Sequence, residues 1–455
     1  MLHSAGAFQV VKRAYFARDA LLPGGWARDV RIEVDHAGDF VAVVPNAKSG
    51  HVARLAGPAL PGMANVHSHA FQRAMAGLTE MRGPTQDDFW TWRELMYRFV
   101  ERVTPAQAKA IATQLYVEML LNGYTAVGEF HYVHQPRGML ASHLQAARDT
   151  GIAITLMPSL YAWSGFGRKP LQQRQKRFTS DVKQILGLVR EFRRHVSPDV
   201  QLGIAPHSLR AVDPESLKEL LAAVPADAPV HIHAAEQTRE VEECRAALGR
   251  RPVEWLLSEM RIDRRWCVVH ATHITDEETR ALATSGAVAG LCPTTEGNLG
   301  DGIFPLAEYR ASAGHYGIGG DSHVCRDPAE ELRLLEYFQR VTGRRRNVVA
   351  SSRSASVGTT LWLEAAAGGA QALGRRMGAI APGMRADLVV LDPEDVNLTG
   401  RSGDAITNAL IFSGARGLVR DVMVAGRWVV KDRRHAKART AASAYKRTLK
   451  TLLDS

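Results

Sequence analysis

Cysteine is scarce in this chain. The four that occur, Cys244, Cys267, Cys292 and Cys325, are widely spaced and form no CxxC pair. That speaks against a disulfide framework and against a thiolate zinc site, and it fits a reducing, cytoplasmic setting. Long apolar runs are missing too. No stretch offers the roughly 18 uninterrupted apolar residues of a membrane span. The opening MLHSAGAFQVVKRAYFARDA lacks the apolar core and small-residue cleavage site of a secretory leader. Neither secretion nor a membrane partner is expected, and residues 1 to about 12 read as a disordered extension. No internal repeat or low-complexity tract stands out, so a solenoid is not indicated.

Charge is not scarce, but it is dispersed. The formal net charge is +10, yet the basic residues are spread along the chain. The two compact runs, Arg344-Arg345-Arg346 and KDRRHAKAR near the C-terminus, read as solvated faces. No nucleic-acid partner is expected. A mild positive field favours a small anionic substrate.

At 455 residues the chain exceeds one ordinary domain. DVRIEVD and DFVAVVP alternate apolar and polar residues around the turn HAG, and the same texture returns in ADLVVLDP and DVMVAGRWVVKD. The terminal segments are therefore expected to combine into a small β-sandwich domain. Between them lie eight strand-like runs: LPGMANVH, GYTAVGEF, IAITLMPSLY, VQLGIAPHS, APVHIHAAE, WCVVHATH, AVAGLCP and YGIGGDS. Helical stretches such as PAQAKAIATQLYVEMLLN and DPESLKELLAAV interleave with them. This pattern predicts an α/β fold, a (β/α)₈ TIM barrel. The expected boundaries are 1–60 for the N-terminal part of the β-domain, 61–375 for the barrel, and 376–455 for the rest of the β-domain with a terminal helix. A doubly wound open sheet is the bland alternative, but it would not gather residues from so many strands around one centre. His67, His69, His131, His207, His233, His270, Asn298 and Asp321 all sit at or just past expected strand ends.

Several of these residues are of metal-ligating type. In a strand, residues i and i+2 point the same way, so His67 and His69 in NVHSHA aim two imidazoles at one point. His233, with Glu236 three residues on, and Asp321 in GIGGDSH are the candidates for a third and fourth ligand. His231 shares the strand face of His233 and remains an alternative. Three imidazoles and a carboxylate suit Zn²⁺, or Fe²⁺. Any one of the 17 histidines could be an ordinary core residue; the order HxH, HxxE, H, D is what favours a metal site.

The strings PGMANVHSHAFQRAMAG, HIHAAE, VVHATH, CPTTEGNLGDG and GIGGDSH resemble the amidohydrolase superfamily, in its branch of mononuclear metal deaminases. FWTWRELMYR, GYTAVGEFHYVH, HSLRAV and NLGDGIFP are similar to the N-formimidoyl-L-glutamate deiminase family, and the similarity runs along nearly the whole chain. Gly320 and Gly297 stand where that pattern has Ser and Ala. The resemblance implies one divalent metal held by His67, His69, His233 and Asp321, and hydrolysis of N-formimidoyl-L-glutamate to N-formyl-L-glutamate and ammonia in histidine degradation. It also implies a substrate shell of Gln72, Arg93, Tyr132, His207 and Arg210, and a homodimer.

In this chemistry Glu236 would carry a proton from water to the departing nitrogen, His270 would orient the attacking hydroxide, and Asp321 would accept a proton as well as bind the metal. Arginine forks suit the two substrate carboxylates. An aminohydrolase acting on a purine or pyrimidine is the alternative enzyme, and a metal-stabilised scaffold is the non-catalytic one. The fourth strand, VQLGIAPHSLR, has no Lys to bridge a second metal.

Overall fold

The computed structural model describes residues 11–83, 87–352, 354–414 and 417–454; the expected disordered extension falls largely outside them. All eight expected strand runs form strands in one parallel sheet. In chain order these are Met63–Ser68, Tyr124–His131, Ala153–Leu160, Val200–Leu202 continued by Ala205–Pro206, Val230–Ala234, Trp266–His270, Val288–Leu291 and His315–Ile318. Each strand pairs with its neighbours in sequence, and Met63–Ser68 pairs with His315–Ile318. Bridges from Ile204 to Val230 and from Ser208 to His233 close the ring. His231 N–H bonds the Ile204 carbonyl and His233 N–H the His207 carbonyl, each at 3.0 Å, so no edge is left in that gap. The result is a (β/α)₈ barrel.

The strands are near-continuous runs of buried Val, Ile, Leu and Ala, as a parallel sheet covered by helices requires. Local signals set the helices. Pro105–Leu121 begins at Thr104, whose hydroxyl accepts from Gln107 N–H while the Gln107 side chain accepts from Thr104 N–H. Pro214–Ala223 begins at Asp213, whose carboxylate caps Ser216 N–H at 3.2 Å.

The terminal segments meet in a second, nine-stranded sheet. Its joint is Ala59–Pro61, which pairs antiparallel with Leu388–Leu391 and parallel with Val11–Leu22. Arg385, almost fully buried, donates to Asp39 at 2.7 Å and to Asp199 at 2.8 Å, tying this sheet to the segment entering the fourth barrel strand. All four cysteines are buried and free. Among the described residues, no helix is long and apolar enough to cross a membrane.

Helix Val357–Ala372 lies against the first and eighth barrel strands, and its approach is set by glycine. A Cβ at Gly368 would stand 1.9 Å from the Tyr316 carbonyl oxygen, and one at Gly369 would stand 3.0 Å from the Ala64 Cβ. Gly368→Ala therefore has to push the helix off the strand. We expect it to cost roughly 1–3 kcal/mol, read as a lowered thermal midpoint; an unchanged midpoint would show that the helix does not pack this closely.

Candidate metal centre and active site

Side chains from the strand exits converge at one mouth of the barrel. The Nε2 atoms of His67 and His69 are 3.1 Å apart, those of His69 and His233 3.4 Å, and those of His233 and His67 3.0 Å. Asp321 Oδ1 lies 3.4 Å from both His67 Nε2 and His69 Nε2. All four side chains are buried. His69 Nδ1 donates to the Phe130 carbonyl at 2.7 Å and His233 Nδ1 to the His207 carbonyl at 2.9 Å, which fixes each tautomer with its Nε2 lone pair inward.

Burial, reinforced by the neighbouring rings, holds His67 and His233 well below the usual imidazole pKa; burial lowers His69 as well. Neutral lone pairs and a carboxylate oxygen this close repel one another unless a cation lies between them. Four donors about 2.0–2.1 Å from a tetrahedral cation are separated by about 3.3–3.4 Å, close to the five distances given above, and the remaining pair, His233 and Asp321, lies within 4.8 Å. The residues fit one divalent metal. His231, the alternative ligand, instead bonds the Ala372 carbonyl at 2.8 Å and stays out of the quartet.

Beside the quartet stand His270 and Glu236. His270 Nε2 is 3.6 Å from Glu236 Oε1 and 3.9 Å from Asp321 Oδ2, with no hydrogen-bond partner among the described residues. Its Nδ1 is 3.2 Å from Glu296 Oε1, which also accepts Cys292 N–H at 2.8 Å. At His270 burial favours the neutral ring, but Glu236, the Glu296 hydrogen bond and Asp321 outweigh it and hold the imidazole well above its usual pKa. Burial pushes Glu236 up to about 7. Ala235, His270, Ala271, Asp321 and His323 all have positive φ, between 47° and 69°. Left-handed backbone at non-glycine residues costs energy and clusters where side chains must be aimed.

Glu296 was not anticipated from sequence. A single acid four residues beyond Cys292, in a helix that starts at the strand exit, was its only signal. Glu129 was missed as well. Its carboxylate lies behind the HxH pair and accepts Ser68 Oγ–H at 2.7 Å, Tyr116 O–H at 3.0 Å and Ala70 N–H at 3.0 Å. Ser68 and Ala70 flank His69, so Glu129 grips the ligand strand from the rear. His323 Nε2 meets Ser68 Oγ at 2.9 Å and extends the grip to the Asp321 loop. A Cβ at Gly320 would stand 2.6 Å from His323 Nδ1, so glycine leaves room for this ring.

Gln72, Arg93, Tyr132, His207 and Arg210 all line the cavity that also exposes His69, His233, Glu236 and Asp321. Gln72 Nε2 donates to Tyr132 Oη at 3.0 Å while its Oε1 is buried without a donor. Arg93 Nε and Nη1 and Arg210 Nη1 are buried donors without acceptors. Both guanidiniums face the Trp90 ring, at 4.5 and 5.6 Å. Burial and the adjacent Arg210 charge lower the Arg93 pKa, a mark of two cations held together. Tyr97 and Tyr161, not singled out from sequence, line the same wall and share the Gln175 amide as donor. Two expected strand-end residues lie elsewhere. Asn298 is on an exposed face of helix Pro293–Leu299 and bonds Glu80 at 2.8 Å, because the chain turns helical straight after the seventh strand. His131 turns away to the Val133 carbonyl and packs against His143.

The amidohydrolase family profile matches residues 59–429, and the profile described as the formimidoylglutamate deiminase HutF N-terminal domain matches residues 12–50. A formimidoylglutamate deiminase of Pseudomonas aeruginosa is 50% identical over 451 residues, 97% of this chain and 100% of its own. A crystal structure of an amidohydrolase from Brucella melitensis superposes with a TM-score of 0.93 at 44% identity, covering 97% of this chain and 100% of that one. A zinc-bound adenosine deaminase from Xanthomonas campestris shares the fold, with a TM-score of 0.82 at 20% identity over 98% and 99% of the two chains. The chain belongs to the amidohydrolase family, which is metal-dependent. Within it, the full-length match and the N-terminal domain place it beside the formimidoylglutamate deiminases.

If the grip on the HxH strand sets ligand geometry, Glu129→Gln and Ser68→Ala should each weaken metal binding about 10–100-fold, measured by chelator competition. Unchanged affinity in both would reduce Glu129 to packing.

Proposed function

We propose that this chain hydrolyses N-formimidoyl-L-glutamate to N-formyl-L-glutamate and ammonia, the deimination step of histidine degradation. It is a hydrolase acting on a C–N bond other than a peptide bond. The observation that carries the substrate assignment is the pair of guanidiniums lining the cavity, Arg93 and Arg210, which hold buried N–H groups without an acceptor among the described residues. Buried donors of this kind require an acceptor. Formimidoyl-glutamate brings two carboxylates, and a nucleobase brings none.

His67, His69, His233 and Asp321 would hold one divalent cation, Zn²⁺ by the chemistry of the donors and Fe²⁺ as the second choice. When bound, the cation supplies Lewis acidity and lowers the pKa of water towards neutrality. Glu236, buried and poised near neutral pH, takes the proton of the attacking water and returns it to the departing nitrogen, which leaves as ammonia. His270, fixed through Nδ1 by Glu296, directs Nε2 at the attacking oxygen and holds it in line. Asp321 lies close enough to His270 to share in that proton traffic. Arg210 and Arg93 fix the glutamate carboxylates, and Gln72, Tyr132 and His207 complete the wall between them and the reacting carbon. A cytoplasmic setting and a homodimer belong to the same reading and are tested by fractionation and sedimentation.

Elemental analysis should find one divalent metal per chain, and chelation should abolish ammonia release. Two tightly bound metals, or full activity after stripping, would overturn the quartet as the whole site. Glu236→Gln should keep its metal while kcat falls by roughly 10²-fold or more; loss of the metal instead would make Glu236 a ligand. Arg210→Met should lose about 2–5 kcal/mol in kcat/KM on formimidoyl-glutamate, and little on formimidoyl analogues lacking the carboxylate. Equal loss on both would make Arg210 a structural residue. A nucleobase outperforming formimidoyl-glutamate in the parent would replace this reading with the heterocycle one.

A further inference from the structure

One buried carboxyl beside the reacting groups has no part in the chemistry above. Asp301 follows helix Pro293–Leu299 and is 3% exposed. Gly300, at φ +67°, closes that helix through its N–H bond to the Glu296 carbonyl, and Gly302 sits at φ +155°. This backbone suits glycine on both sides and folds the Asp301 side chain inward. Its own groups are tightly held. The backbone carbonyl of Asp301 accepts His273 Nε2–H at 2.6 Å, and Oδ1 accepts the Gln237 side-chain amide.

Oδ2 is buried and has no donor among the described residues. Donor-capable oxygens of Asp301 and Glu236 and a ring nitrogen of His270 all lie within 4.8 Å of one another. Among the described residues, no Lys or Arg forms an ion pair with Asp301. The two carboxyls share a single ring, His270, whose Nε2 is 3.6 Å from Glu236 Oε1, and Asp301 Oδ2 is left short of a cationic donor. Burial and then the Glu236 charge push the Asp301 carboxyl up to about 10, in keeping with that deficit.

The proposed substrate carries such a donor. An amidine is a strong base, so at neutral pH its formimidoyl end is a cation bearing several N–H groups, whereas the formyl product is a neutral amide. We propose that Asp301, together with Glu236, recognises the amidinium end of the substrate and is a specificity-determining residue for a cationic over a neutral reacting group. The preference vanishes as the C–N bond breaks, because the bound molecule then loses its charge, and product release is favoured.

The inference rests on the formimidoyl-glutamate reading, and the test separates the two. Competitive inhibition would be measured with N-acetimidoyl-L-glutamate, whose amidine end is cationic, and N-acetyl-L-glutamate, whose amide end is its neutral isostere, on metal-loaded protein. The parent should prefer the cation at least about tenfold, and Asp301→Asn should erase most of that preference while binding N-acetyl-L-glutamate as before. Metal content and thermal midpoint certify the fold, and Asp301→Ser takes its place should the Asn variant fail either check. No preference in the parent, equal losses for both ligands, or an unchanged preference in the variant each overturn the role of Asp301. A parent that releases no ammonia from formimidoyl-glutamate overturns the functional reading itself.

Discussion

Three imidazole nitrogens held 3.0–3.4 Å apart, with a carboxylate oxygen 3.4 Å from two of them, are the constraint around which the rest of the molecule is arranged. Without a cation such a cluster is repulsive, so it persists only where the scaffold over-determines each side chain. The closed barrel sets the direction of the strands. Carbonyls of Phe130 and His207 set the tautomers, and left-handed residues at the strand exits turn the last side chains inward. Glu129 and Ser68 hold the HxH strand from behind. These supports come from different strands, which explains why a parallel barrel rather than an open sheet suits the site.

Charges of both signs border the cavity. Arg93 and Arg210, whose guanidiniums face the Trp90 ring, line it together with Glu236, and Asp301 and His270 lie within 4.8 Å of Glu236. The arginines and the acids have opposite electrostatic demands, expressed by Arg93, Arg210 and Asp301 atoms that are buried without partners among the described residues. A ligand with carboxylates at one end and a cation at the other satisfies both at once. A neutral planar heterocycle satisfies neither, and the desolvation penalty of the unmet groups discriminates against it.

The barrel was legible because each strand is a short apolar run bounded by turn residues, and the HxH pair because strand periodicity is 2. His231 and His233 could not be separated by the same rule, since they share a face; only the depth of each residue in the barrel distinguishes them. Glu296, Glu129 and Asp301 escaped detection for a related reason. Each is an isolated acid in its segment, and its role exists only through a partner distant in sequence, His270, Ser68 and Glu236 respectively. Asn298 shows the opposite error: a polar residue just past an expected strand lay on a helix face because Pro293 starts a helix directly at the exit. The resemblance to a family supplied the arginines and Gln72, which no periodicity rule could have drawn together.

The joint between Ala59–Pro61 and Leu388–Leu391 bears on how the chain comes to be assembled during translation. The hairpin of Val11–Leu22 and Gly25–Asp35 leaves the ribosome before the barrel, but the strand that seats it into the full sheet cannot be completed until residue 388 has been made. Throughout synthesis of the barrel, the hairpin and Ala59–Pro61 therefore present an unsatisfied edge. Nascent chains of this protein should accordingly depend on edge-shielding chaperones far more than the finished molecule does.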